Sequence, residues 1–194
     1  MADPVALLRR SPLADRAETL AAASSDAVTL TEVPFLTAVN LRVDPDSDAA
    51  RRVGERLGTP LPDAPNTVAD AGSRCVLWLG PDEWLVVGPD GDAPALLALL
   101  GDEPDSVVDV SANRTTVQVS GPSARDLLEK GCTLDLHPRA FGVGRCAQST
   151  VAKAQVVLWQ TADTPVYRLL VRGSFSGYLA DWLIDAAGEY AISL

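Results

Sequence analysis

From Phe35 onward the chain runs twice through one order of hydrophobic periodicities, and this repetition restricts the fold more than any single motif. In the first pass Phe35, Thr37, Val39, Leu41 and Val43 fall on one face, the period of a half-buried strand. Asp44-Pro45-Asp46-Ser47 offers turn and N-cap chemistry. Ala50, Val53 and Leu57 follow at helical spacing, with Arg51, Arg52, Glu55 and Arg56 outside and Gly58 as the stop. Cys75 to Leu79 and Trp84 to Val87 flank a Gly80-Pro81-Asp82-Glu83 turn and read as a hairpin. A short helix fits Pro94 to Leu100, and a strand fits Ser106 to Ser111.

The second pass repeats the order. Thr115, Val117 and Val119 mark a strand, and Gly121-Pro122 opens a helix that buries Ala124, Leu127 and Leu128 and closes at Gly131. A strand spans about Thr150 to Trp159, and Val166 to Arg172 returns. Leu179, Trp182, Leu183 and Ala186 form a helical stripe, Gly188 ends it, and Tyr190 to Leu194 supply a final strand. Val76-Leu77-Trp78 and Val157-Leu158-Trp159 stand at matching places in the two passes. The expected fold is α+β: two tandem ferredoxin-like modules (β-α-β-β-α-β), 27–112 and 113–194, packed as one folding unit with one face of each sheet against helices. Residues 1–26, with Pro4, Pro12 and an Ala-rich run lacking an amphipathic stripe, read as an N-terminal arm. Residues 59–73 read as a Pro-rich loop, long enough to be functional or packed against another element.

Sixteen Lys and Arg against 26 Asp and Glu leave a net charge of −10. That sign disfavours nucleic acid and anionic lipid as partners. No run approaches the roughly 20 apolar residues of a membrane helix, and residues 1–26 lack a signal-type apolar core. Cys75, Cys132 and Cys146 are an odd number without CxxC spacing, as expected of reduced thiols in a cytoplasmic protein. His137 is the only histidine, which leaves no set of ligands for a common metal site and no obvious base for a nucleophile. Gly142-Val143-Gly144 lacks the third glycine and the strand-to-helix context of a dinucleotide turn. Cys132 follows a helix C-terminus, where the dipole disfavours a thiolate.

Two features suit a partner surface. Trp78 and Trp84 flank the hairpin turn and serve either as core or as an interface anchor. Asn113-Arg114 lies where the first module hands over to the second, and Arg114 either is a solvated arginine or makes a bidentate bond to a carboxylate across the junction or on a partner.

Five segments carry a family resemblance: Leu77 to Leu85 (LWLGPDEWL), Val108 to Thr115 (VDVSANRT), Ser120 to Leu128 (SGPSARDLL), Cys132 to Leu136 (CTLDL) and Ser174 to Leu179 (SFSGYL). In order and spacing they resemble the gamma subunit of bacterial heterotetrameric sarcosine oxidase. The pattern from Asp109 to Leu128 is also similar to the folate-binding domain of the glycine cleavage T-protein and dimethylglycine oxidase. In that group an acidic residue in the strand pair after the first helix lies near the folate ring. The matching stretch, Gln148 to Val157, contains no Asp, Glu or Gly and carries Lys153.

The resemblance implies a non-catalytic scaffolding subunit that assembles with alpha, beta and delta subunits. The whole complex would oxidatively demethylate sarcosine to glycine, release hydrogen peroxide and pass the one-carbon unit to tetrahydrofolate. FAD, FMN and NAD would belong to the larger subunits and zinc to the delta subunit, with no cofactor bound by this chain. The alternative is a stand-alone tetrahydrofolate-binding protein of the aminomethyltransferase type. Trp84, Asn113, Arg114 and Arg139 are the candidate partner-contact residues.

Overall fold

A computed structural model describes residues 9–191. The first helical pattern becomes α2 (Asp48–Leu57), following a six-residue α1 (Ala17–Ala22). Ser47 caps α2 by accepting the Ala50 N–H, and Gly58 closes it at φ 79°, a left-handed conformation that glycine adopts without Cβ strain. Two strands precede it, β1 (Thr29–Val33) and β2 (Thr37–Arg42). After it come β3 (Val68–Ala71), β4 (Arg74–Gly80), β5 (Glu83–Gly88), α3 (Ala93–Leu100) and β6 (Ser106–Asp109). The second pass gives β7 (Arg114–Ser120), α4 (Ala124–Glu129), β8 (Cys146–Val151), β9 (Ala154–Ala162), β10 (Val166–Arg172) and α5 (Gly173–Ala187).

Both sheets are antiparallel, ordered β3-β4-β5-β2-β6 and β8-β9-β10-β7-β1. The two orders match position by position, as two ferredoxin-like modules require, each with an added edge strand. Three apolar clusters hold the layers together. Val53, Leu57, Leu96 and Leu100 pack helices α2 and α3 onto the first sheet. Leu127, Leu128, Leu179 and Leu183 do the same for α4 and α5 on the second. Between the sheets, Ala38, Leu77, Leu85 and Val87 meet Cys146, Val157, Trp159 and Leu170. Each sheet therefore buries both faces, where the alternation in the sequence had suggested one. The near-continuous apolar runs of β5 and β9 are the trace of this sandwich, because a strand covered on both sides has no polar face to alternate with.

Four sequence expectations change. The place beside β7 that the final strand would fill is taken by β1, which pairs Thr29 with Ser120 through Val33 with Thr116. Thr29–Val33 thus belongs to the second sheet although it lies in the stretch assigned to the first module. Gly188–Tyr190 is a 3-10 turn, and residues 192–194 of the expected strand lie outside the described residues. Sheet hydrogen bonds depend on spatial proximity, so a strand from the other end of the chain closes the edge equally well.

The strand read from Thr150 to Trp159 is in fact the end of β8, a turn at Ala152-Lys153, and β9. Ala152 makes that turn at φ 50°, where the matching turn of the first module uses Gly72 at φ 74°. Part of the Pro-rich loop is strand β3, and its approach is bonded to the second module. Cys146 N–H donates to Asn66 O at 3.0 Å and Val68 N–H to Gly144 O at 2.9 Å.

The described part of the N-terminal arm, from Arg9, is packed. Leu13 is 0% and Leu20 1% exposed, both inside the second module's core. Glu32 on β1 accepts hydrogen bonds from Ser11 Oγ, the Leu13 N–H and Thr115 Oγ1. Two well-spaced leucines bury a short segment without an extended stripe, which is why periodicity missed it. Residues 1–8 lie outside the described residues.

Candidate functional site

A polar, positively charged cavity opens at one end of the second sheet. Its volume is about 480 Å³, and Arg114, Arg172, Thr133, Leu134 and the β8–β9 hairpin line it. Arg114 begins β7 and Arg172 ends β10, and antiparallel pairing sets the two directly opposite each other. Gln155 on β9 faces Thr150 on β8 across the next pair of strands. Strand alternation puts Arg114, Arg172 and Gln155 on the face turned toward the other sheet, in step with Leu170 and Val157 of the intersheet core. The fold thus carries two guanidinium groups to the rim of an otherwise apolar layer.

Arg114 is partly buried. Desolvation holds its pKa below the ordinary arginine value, repulsion from Arg172 acts in the same direction, and Glu83 across the junction opposes both. Glu83 accepts instead from Asn40 Nδ2 at 2.7 Å. Among the described residues, neither Arg114 nor Arg172 belongs to an ion pair. Gln148 turns its amide to Leu79 O at 3.0 Å, and Thr133 Oγ1 lies 3.3 Å from Ser149 Oγ. The cavity presents donors and hydroxyl groups, and its lining contains no carboxylate.

The four sequence-predicted contact residues do not converge. Trp84 is 1% exposed, and its indole N–H donates to Pro62 O at 2.8 Å. It is a core residue that pins the Pro-rich loop, so it offers no surface to a partner; a large aromatic with one polar group is equally suited to either role, and burial decided this one. Asn113 is exposed in the 3-10 turn Ser111–Asn113, next to Arg114. Arg139 is exposed in a separate turn, where its N–H donates to His137 Nδ1 at 3.2 Å, and it does not line the arginine cavity. Arg172 was missed. The sequence placed it at the end of a strand, but only strand register shows that it stands beside Arg114.

The remaining chemistry-bearing residues have local structural surroundings. Cys146 is buried between the sheets near Thr67 O and Trp78 O, each 3.5 Å away, and burial pushes its thiol up to about 11. Burial also raises Cys75. Gly142-Val143-Gly144 is part of the turn before β8 and does not join a strand to a helix.

The profile of the sarcosine oxidase gamma subunit family matches residues 42–189. The gamma subunit of sarcosine oxidase from Corynebacterium sp. (strain P-1) is 44% identical over 188 residues, 95% of this chain and 92% of that one. The chain belongs to the sarcosine oxidase gamma subunit family. The gamma subunit from Arthrobacter sp is 45% identical over 188 residues, again 95% of this chain and 92% of the other. Among solved structures, a chain of the heterotetrameric sarcosine oxidase from Corynebacterium sp. U-96 in complex with pyrrole 2-carboxylate superposes with TM-score 0.88 at 41% identity, covering 96% of this chain and 98% of that one. The glycine cleavage aminomethyltransferase T from Bartonella henselae superposes with TM-score 0.64 at 13% identity, covering 96% of this chain and 64% of the other, a likeness of fold alone. Within the stretch from Gln148 to Val157, the residues Gln148, Ser149, Thr150, Gln155, Val156 and Val157 line the arginine cavity.

Proposed function

We propose that this chain is the gamma subunit of a heterotetrameric sarcosine oxidase and acts as a non-catalytic scaffold for alpha, beta and delta subunits. The observation that carries the reading is its match along nearly its whole length, at 41% identity, to a chain of such a complex. In the complex, sarcosine, oxygen and tetrahydrofolate would give glycine, hydrogen peroxide and methylenetetrahydrofolate. A flavin held by another subunit would supply the redox chemistry, taking two electrons from sarcosine and passing them, with two protons, to oxygen. On this reading FAD, FMN and NAD would be held by the larger subunits and zinc by the delta subunit.

The residues here do not fit a catalytic folate site. The wall that would carry the carboxylate near a folate amine carries Gln148, Ser149, Thr150 and Gln155, and two guanidinium groups stand beside it on the same sheet. Positive charge there would repel the cationic iminium form of a transferring one-carbon unit instead of stabilising it.

The test is reconstitution of the complex with and without this chain, following subunit stoichiometry and sarcosine-dependent peroxide release. Loss of assembly, with turnover falling in proportion, supports a scaffold. Full assembly and full turnover without the chain refute it. The rival reading, a stand-alone aminomethyltransferase-like protein, rests on the presence of a cavity at this hairpin. It predicts micromolar binding of tetrahydrofolate to the isolated chain in a calorimetric titration.

A further inference from the structure

The arginine cavity carries two guanidinium groups that no ion pair among the described residues neutralises. The chain has a net charge of −10, yet Arg114 and Arg172 stand side by side without an acidic partner among the described residues. Glu83 offsets part of the Arg114 charge from across the junction, but the nearby carboxylates make their hydrogen bonds to other groups. Glu83 accepts from Asn40, and Asp109 accepts both the Ser111 N–H at 2.9 Å and Ser111 Oγ. Strand pairing adds like-charge proximity at Arg114, which is already partly removed from water. Each of these features raises the free energy of the isolated fold. Two adjacent guanidinium forks, with Gln155, Thr150, Ser149 and Thr133 as further donors, form a receptor for a planar anion.

We infer that Arg114 and Arg172 together form the seat for an acidic side chain, Asp or Glu, of a neighbouring subunit in the assembled complex. This rests on the subunit reading given above. Charge complementarity sets the occupant. A carboxylate would take the two paired N–H bonds that a guanidinium fork offers, and its charge would relieve the repulsion between the arginines. Every residue lining the cavity belongs to the second module and the cavity is open to solvent, so a side chain enters from outside without separating the two sheets.

The consequence is a trade-off between the free and the assembled chain. Replacing both arginines (R114Q with R172Q) removes the uncompensated charge, so the isolated full-length variant should melt no lower than the wild-type chain. The same variant should bind the remaining subunits of the heterotetramer at least about 30-fold more weakly, the effect of removing one side of a hydrogen-bonded interfacial charge pair. R114K alone should fall between the two, because lysine keeps the charge and loses the fork. The experiment measures the melting temperature of each isolated chain and its affinity for the other subunits at 150 mM NaCl.

Unchanged affinity of the double variant overturns the inference. A double variant that melts lower by itself also overturns it, since the arginines would then be part of the fold's own stability. A third arm titrates the isolated chain with succinate. If succinate stabilises the wild-type chain but not the double variant, while assembly is unaffected, the cavity serves a free small carboxylate and the docking assignment is overturned. Failure of the wild-type chain itself to assemble is a different result: it removes the subunit reading, and this inference falls with it.

Discussion

Leu20→Ala tests whether the N-terminal segment is structural. Leu20 is 1% exposed on α1, a helix of only six residues whose sole buried side chain it is. Its isobutyl group joins the cluster that includes Leu13, Leu30, Leu127 and Leu179. Truncating a buried leucine to alanine costs about 2–5 kcal/mol, the lost transfer free energy plus a term for the remaining cavity. A short surface helix can settle partly into the space, which places the expected loss at about 3 kcal/mol. For a chain of 194 residues unfolding as one unit, that corresponds to a fall in melting temperature of roughly 6–12 °C. Urea unfolding followed by circular dichroism gives the free-energy difference directly. Thr19→Ala, on the exposed side of the same helix, is the control and should stay within about 0.5 kcal/mol of wild type. If Leu20→Ala changes stability as little as Thr19→Ala, the segment is a loose arm and the packing argument is wrong.

Further predictions concern single contacts. Trp84→Phe keeps most of the ring and leaves Pro62 O without the indole donor, so it should destabilise by about 1–3 kcal/mol in urea unfolding. The Arg74–Asp92 pair is bidentate, at 2.6 and 2.8 Å, with side chains only 18% and 14% exposed. Asp92→Asn should therefore cost about 2–4 kcal/mol at pH 7. Hydrogen bonding to Arg74 holds the Asp92 carboxyl below the usual carboxylate range. Its contribution is present in full above the unfolded value of roughly 4 and is lost as pH falls through the lower folded value, so the gap between wild type and Asp92→Asn should narrow below about pH 4. Unfolding curves at pH 7 and pH 3 check this, and a constant gap contradicts it. Cys146, with its thiol pushed up to about 11, should be about 0.1% thiolate at pH 8, against roughly a quarter for an ordinary cysteine. Ellman's reagent should modify it only after denaturant is added, and rapid labelling of the native protein would show that the site opens.

Only part of the candidate site was visible in the primary structure. Arg114 stood out because it follows the module junction, and Arg172 had no such mark. Pairing across β7 and β10 joins residues separated by more than fifty positions, and pairing register is not written locally. Trp84 shows the converse. Its type and neighbours suit an exposed anchor as well as a core, and only the closure of the Pro-rich loop over it, with Pro62 accepting its N–H, separates the two.

What the amino-acid order alone determined was the repeated succession of elements and the lack of a carboxylate in the stretch from Gln148 to Val157. Periodicity and caps are short-range signals: Ser47 and Gly58 bound α2 just where side-chain and backbone chemistry require. Tertiary structure decided what those elements meet. It drew Thr29–Val33 into the second sheet, turned the chain at Ala152 without a glycine to announce it, and covered both sheets on both faces. It also set two arginines against each other at the open rim. Each of these outcomes depends on contacts between distant residues, whose free energy exists only once the chain has closed on itself.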